Sequence, residues 1–95
     1  MYVITTLGLT GGPKVYKVSP PNGTEKLVLL FPDMETAARQ ATKLVNQEPK
    51  DSEILFIVTP QVAYERLVTE DTFASPEGKA RATDYVSYEP NMILT

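Results

Sequence analysis

At 95 residues the chain has room for one hydrophobic core and no second, and with 42% hydrophobic and 22% charged residues it is composed like an ordinary globular domain rather than a disordered tract. It contains no cysteine and no histidine, which excludes disulfides, thiolate metal sites and thiol nucleophiles and removes the side chain best suited to proton transfer near neutrality. A net charge of −3 gives little general attraction for nucleic acid, whose non-specific affinity comes mainly from Lys and Arg neutralising phosphates.

Residues 2–9 are rich in β-branched and aromatic types and end at Thr10-Gly11-Gly12-Pro13, so a strand followed by a turn is expected. The glycines and Lys14 resemble a phosphate-binding loop only superficially, because that motif needs Gly-Lys-Ser/Thr opening a helix and here Pro13 intervenes. Residues 14–18 read as a second strand, stopped by Pro20-Pro21-Asn22-Gly23. Asn22-Gly23-Thr24 matches the glycosylation triplet, but without a secretory leader it signals a turn. Residues 25–31 follow with an apolar run, Leu27 to Phe31, that leaves neither face polar, as expected of a central strand covered on both sides.

Asp33 is placed to cap a helix over 34–47, in which Met34, Ala37, Ala38, Ala41, Leu44 and Val45 recur at helical spacing. The opposite side presents Glu35, Arg39, Gln40, Thr42, Lys43 and Asn46. The small Ala37, Ala38 and Ala41 allow a close approach of helix and sheet, and Pro49 ends the helix. Residues 53–59 form a second apolar strand through Ile54 to Val58, and the order strand, helix, strand predicts a right-handed crossover with the two apolar strands parallel. Thr59 as N-cap and Pro60 at the first position then open a shorter helix with Ala63, Tyr64, Leu67 and Val68 on one stripe.

From 69 to 82 periodicity is lost, and Ser75-Pro76-Glu77-Gly78-Lys79 has the composition of an exposed mobile loop. Residues 83–89 read as a last strand before Pro90-Asn91, and 90–95 as a short apolar tail. The expected architecture is a single α+β domain over 1–89. It has a mixed sheet of about five strands in the order β-β-β-α-β-α-β, with one main and one shorter helix packed on the sheet.

The longest apolar runs fall far short of the ~20 residues that span a bilayer, and no basic leader opens the chain, so no membrane segment is expected and the cytoplasm is the default location. The paired acids Asp33 with Glu35, Asp51 with Glu53, and Glu70 with Asp71 lack the dense spacing of a calcium loop, so neither a metal nor a cofactor is expected. Tyr64, Glu65 and Arg66 could sit near one another, but the sequence assigns no base, orienting group or oxyanion donor around them. A non-enzymatic protein-interaction module is the leading expectation: an accessory, regulatory or inhibitory protein that binds another protein, or a second copy as a homodimer. Its expected contact surface is Tyr85, Tyr88, Met92, Ile93 and Leu94, since tyrosine covers area at small entropic cost. One alternative is nucleic-acid binding through Lys14, Lys17 and Lys26 with Tyr16 as a stacking platform. Another is a small enzyme independent of His and Cys.

Overall fold

A computed structural model describes residues 1–8, 13–19, 23, 25–69 and 85–92. Among these, six strands and two helices alternate in an α+β arrangement: β1 (Tyr2–Leu7), β2 (Lys14–Val15), β3 (Lys17–Val18), β4 (Leu27–Leu30), α1 (Met34–Gln47), β5 (Leu55–Pro60), α2 (Gln61–Thr69) and β6 (Tyr85–Ser87). The expected loop over 69–82 lies outside the described residues except for Thr69, the last residue of α2.

Instead of one sheet of about five strands there are two of three, ordered β2-β1-β5 and β3-β4-β6. The division falls at Tyr16. Its N–H donates to the Ile4 carbonyl at 2.8 Å, and its own carbonyl accepts from the Leu29 N–H at 3.4 Å, so the segment 14–18 passes from β1 to β4 at this residue. Tyr2 and Phe31 close the gap with a reciprocal antiparallel pair, Tyr2 N–H to Phe31 at 3.0 Å and Phe31 N–H to Tyr2 at 2.8 Å. Segment 14–18 is antiparallel to both β1 and β4, and β4 is antiparallel to β1 at Phe31. Three mutually antiparallel segments cannot share one flat sheet, so the sheet divides.

The expected parallel crossover is also replaced. The strand after α1, β5, joins the other sheet and runs antiparallel to β1 over its whole length, from Tyr2 opposite Pro60 to Leu7 opposite Leu55. The parallel partner of β4 is β6, with Val28 opposite Tyr85 and Leu30 opposite Ser87. The rule that strands flanking a helix lie parallel applies within one sheet, and here the helix connects two.

Two clusters make the core. Ile4, Val18, Leu29, Phe31, Ala37 and Ala41 form the one beneath α1, joined by Phe56, Val58, Tyr88 and Met92. Val3, Val28 and Tyr64 form the other beneath α2, joined by Val15, Leu30, Leu67 and Tyr85. Successive residues of β1 and of β4 thus point into different clusters, and β4 is the two-sided central strand its composition implies.

α1 begins where expected, with the Thr36 N–H donating to Asp33 Oδ1 at 2.7 Å; that bond holds the carboxyl below its usual range. Glu35 and Arg39 pair on its exposed side, one turn apart, a contact worth a few tenths of a kcal/mol at most. The buried face, however, is Ala37, Gln40, Ala41 and part of Leu44, while Ala38 is exposed. Gln40 is buried on this face, near enough to Tyr16 to oppose the rise that burial gives that hydroxyl's pKa. Thr59 and Pro60 belong to β5 rather than opening α2, and the Thr59 hydroxyl lies 2.8 Å from that of Thr5, both buried.

Substitution tests this helix rotation. Ala41→Phe is expected to cost about 1–3 kcal/mol through overpacking, whereas Ala38→Phe stays within about 0.5 kcal/mol of the parent. Paired thermal melts check it, and equal losses would put the helix in the wrong rotation.

Candidate interaction surface

The residues expected to form a contact surface at the C-terminal end are partly withdrawn from solvent. Tyr85 lies edge-on to the fully buried Tyr64, ring centroids 6.4 Å apart. Tyr88 is tilted against Phe31 at 5.2 Å, and its N–H donates to the Leu30 carbonyl. Met92 is half-buried against the α1 cluster. Packing of this kind gives these three side chains a structural task within the core. Ile93 and Leu94 lie outside the described residues.

Burial leaves a chemical trace on Tyr85. Its hydroxyl is shielded from water, and that burial, reinforced by the negative charge of Glu65, pushes its pKa up to about 12. Tyr16 is shifted upward too, by burial, against the opposing hydrogen bond from Gln40. The ring expected to stack on bases therefore rests against the core and the helix. Lys14 and Lys26 are exposed and Lys17 half-buried, and Lys14 and Lys17 flank the point where the strand changes sheets.

A different surface is left open. In the order β2-β1-β5, β5 has a neighbour on one side only among the described residues. Its composition suggested cover on both faces, yet only Phe56 and Val58 reach the α1 cluster. On the other face Leu55 is 59% and Ile57 45% exposed, and Leu7, the register partner of Leu55, is 41% exposed. α2 and its Tyr64 cover Val3 and stop short of this end of the face.

Among the described residues no strand pairs with the outer backbone edge of β5 either. Gln61 N–H donates to the Met1 carbonyl at 2.9 Å, and Ile4 serves β2 from the opposite edge of β1. By the alternation of an antiparallel ladder, Leu55, Ile57 and Thr59 then direct their backbone groups to β1, while those of Phe56 and Val58 point away from the sheet. Pro60, which has no N–H, takes the next outward position, as proline does on edge strands. No charged side chain occurs from Ile54 to Tyr64 or from Met1 to Pro13. That shared lack of charge in the two neighbouring strands was the signal in the sequence for this surface, and it was hidden because a buried strand is equally uncharged.

A hollow of about 330 Å³ adjoins the start of β5, lined by Val45, Asn46, Glu48, Pro49, Lys50, Ser52 and Ile54. Its polar groups are side chains at the exposed end of α1 and the turn beyond it, without the convergence that fixes a small ligand. Among the described residues no three acidic side chains gather into a possible metal site, and no helix is long and apolar enough to cross a membrane. Comparison with protein-family models, curated proteins and solved structures gives no match to this chain.

The shifted tyrosine predicts a pH dependence. The folded pKa of Tyr85 lies above the ordinary value of 10.0, so its contribution is intact below pH 10 and is lost as the pH rises towards about 12. Chemical denaturation across this window should show stability falling, and Tyr85→Phe should flatten part of the fall. Unaltered pH dependence in the variant would contradict the burial of this hydroxyl.

Proposed function

We propose that the chain is a small non-enzymatic interaction module, an accessory, regulatory or inhibitory protein, that recognises another polypeptide through the free edge of β5. The observation that carries this reading is the combination on one strand of outward backbone groups at Phe56 and Val58 with exposed Leu55 and Ile57. An added strand satisfies the backbone groups and supplies affinity, while pockets or apolar side chains on alternate positions supply selectivity. Natural edge strands are commonly protected by charge, by a bulge or by extreme shortness. β5 has six residues in unbroken register and no charged residue, with proline only at its last position.

Retention of binding partners tests the reading. Leu55→Lys with Ile57→Lys places two charges on the open face while sparing the buried Phe56 and Val58 side. Full-length protein, immobilised and exposed to an extract of its native source, should retain a stoichiometric partner identified by mass spectrometry. The double variant, shown to be folded by its melt, should lose that partner. Equal retention by both proteins would remove β5 from the function.

A further inference from the structure

We infer that Met92 is a redox-sensitive latch: its thioether seats the turn after β6 against the α1 cluster, and oxidation of that sulfur by a peroxide unseats it. The inference is independent of the β5 edge and goes beyond the reading above.

Composition narrows the chemistry first. With no cysteine, histidine or tryptophan in the chain, its three methionines are the side chains open to mild two-electron oxidation. Met1 is 53% and Met34 57% exposed, and neither belongs to the two core clusters. A sulfoxide at those positions is solvated and leaves the packing as it was. Met92 differs, because its side chain is half-buried against the cluster that contains Ile4, Leu29 and Phe31.

The turn that carries it is closed by Met92 twice. Glu89, Pro90 and Asn91 are exposed, with proline at the second position of the turn, where its fixed φ fits. The Met92 N–H donates to the Glu89 carbonyl at 3.0 Å, and the Glu89 N–H donates back to Met92 Sδ at 3.1 Å. The sulfur bond lies at the surface while the side chain reaches the cluster. The thioether thus stands where a solvent-borne oxidant meets it and where a gain in polarity is felt by the core. Just before the turn, Tyr88 is bonded to Leu30 and rests on Phe31. β6 itself has three residues and pairs with β4, so this turn secures the end of a short strand.

Hydrogen peroxide supplies the oxidant. The thioether sulfur attacks one peroxide oxygen, an S–O bond forms as the O–O bond breaks, the sulfur gives up two electrons, and the second oxygen leaves as water with both protons. The sulfoxide either keeps its new oxygen hydrated and withdraws from the cluster, or stays seated with a polar oxygen against apolar neighbours. Both outcomes weaken the seat. A thiol-dependent sulfoxide reductase takes two electrons from two thiols, releases the oxygen as water and restores the latch.

Treating the full chain with hydrogen peroxide tests this, with peptide mass spectrometry locating the added oxygen and a thermal melt taken at each time. The midpoint is expected to fall by roughly 4–8 °C in step with oxidation of Met92 and not of Met34. Reduction by sulfoxide reductases of both epimer specificities with a dithiol should return it. Met92→Leu fills similar space without a reactive sulfur and should hold its midpoint under peroxide. Met92→Gln places a polar group at the same site and should melt low without any oxidant. The latch is overturned by a midpoint that follows Met1 or Met34 instead, by a Met92 that resists peroxide in the folded chain, or by a midpoint that stays low once Met92 is reduced. A Met92→Leu protein as peroxide-sensitive as the wild type overturns it equally, and the wild-type time course decides the matter without any variant.

Discussion

The backbone of β1 sets the constraint under which the rest of the chain is arranged. Tyr2 and Ile4 turn their polar groups to one edge of this strand, and no single segment serves both: Tyr16 takes Ile4 and Phe31 takes Tyr2. A buried strand cannot leave such groups unpaired without a penalty of about 1–3 kcal/mol each. Meeting the requirement with two segments forces the chain to change sheets at Tyr16 and brings the end of β4 back to the start of β1. The pleat then turns successive residues of both strands towards α1 and α2, so two helices find apolar surfaces to cover.

Local elements were largely legible in the sequence, and their assembly was not. Asp33 and the spacing of Ala37, Ala41 and Leu44 define α1 because capping and periodicity act within a few residues. Gln40 escaped because its burial is set by how the whole helix packs on the sheets, which the spacing of a few residues does not record. The runs Leu27–Phe31 and Ile54–Val58 have nearly the same composition and acquire opposite surroundings, one between two clusters and the other at an edge. Composition records that a residue is apolar; which neighbours cover it is decided by pairing, and the pairing here hinges on the single residue Tyr16.

The same reasoning moves attention along the surface. Aromatic residues near the C-terminal end attract a binding interpretation because tyrosine serves that purpose so often, but Tyr85 and Tyr88 are engaged by Tyr64 and Phe31. Leu55 and Ile57 look like core residues and are the ones left uncovered. Other apolar exposure accompanies them: Met34 is 57% and Val45 50% exposed, and with Ala38 they fall on one stripe of α1.

The pairing of β1 with β5 also dictates when the domain can form. The hydroxyls of Thr5 and Thr59 meet across a separation of 54 residues, so the central strand of its sheet leaves the ribosome long before the strand that completes its pairing. Contacts this distant in sequence bear a large loop-closure cost before any stabilisation arrives, which slows folding relative to chains built from local hairpins and helices. During synthesis Val3 and Ile4, both fully enclosed in the finished protein, wait uncovered for β5. Val3 and Ile4 therefore stay adhesive until β5, made more than fifty residues later, comes to shield them.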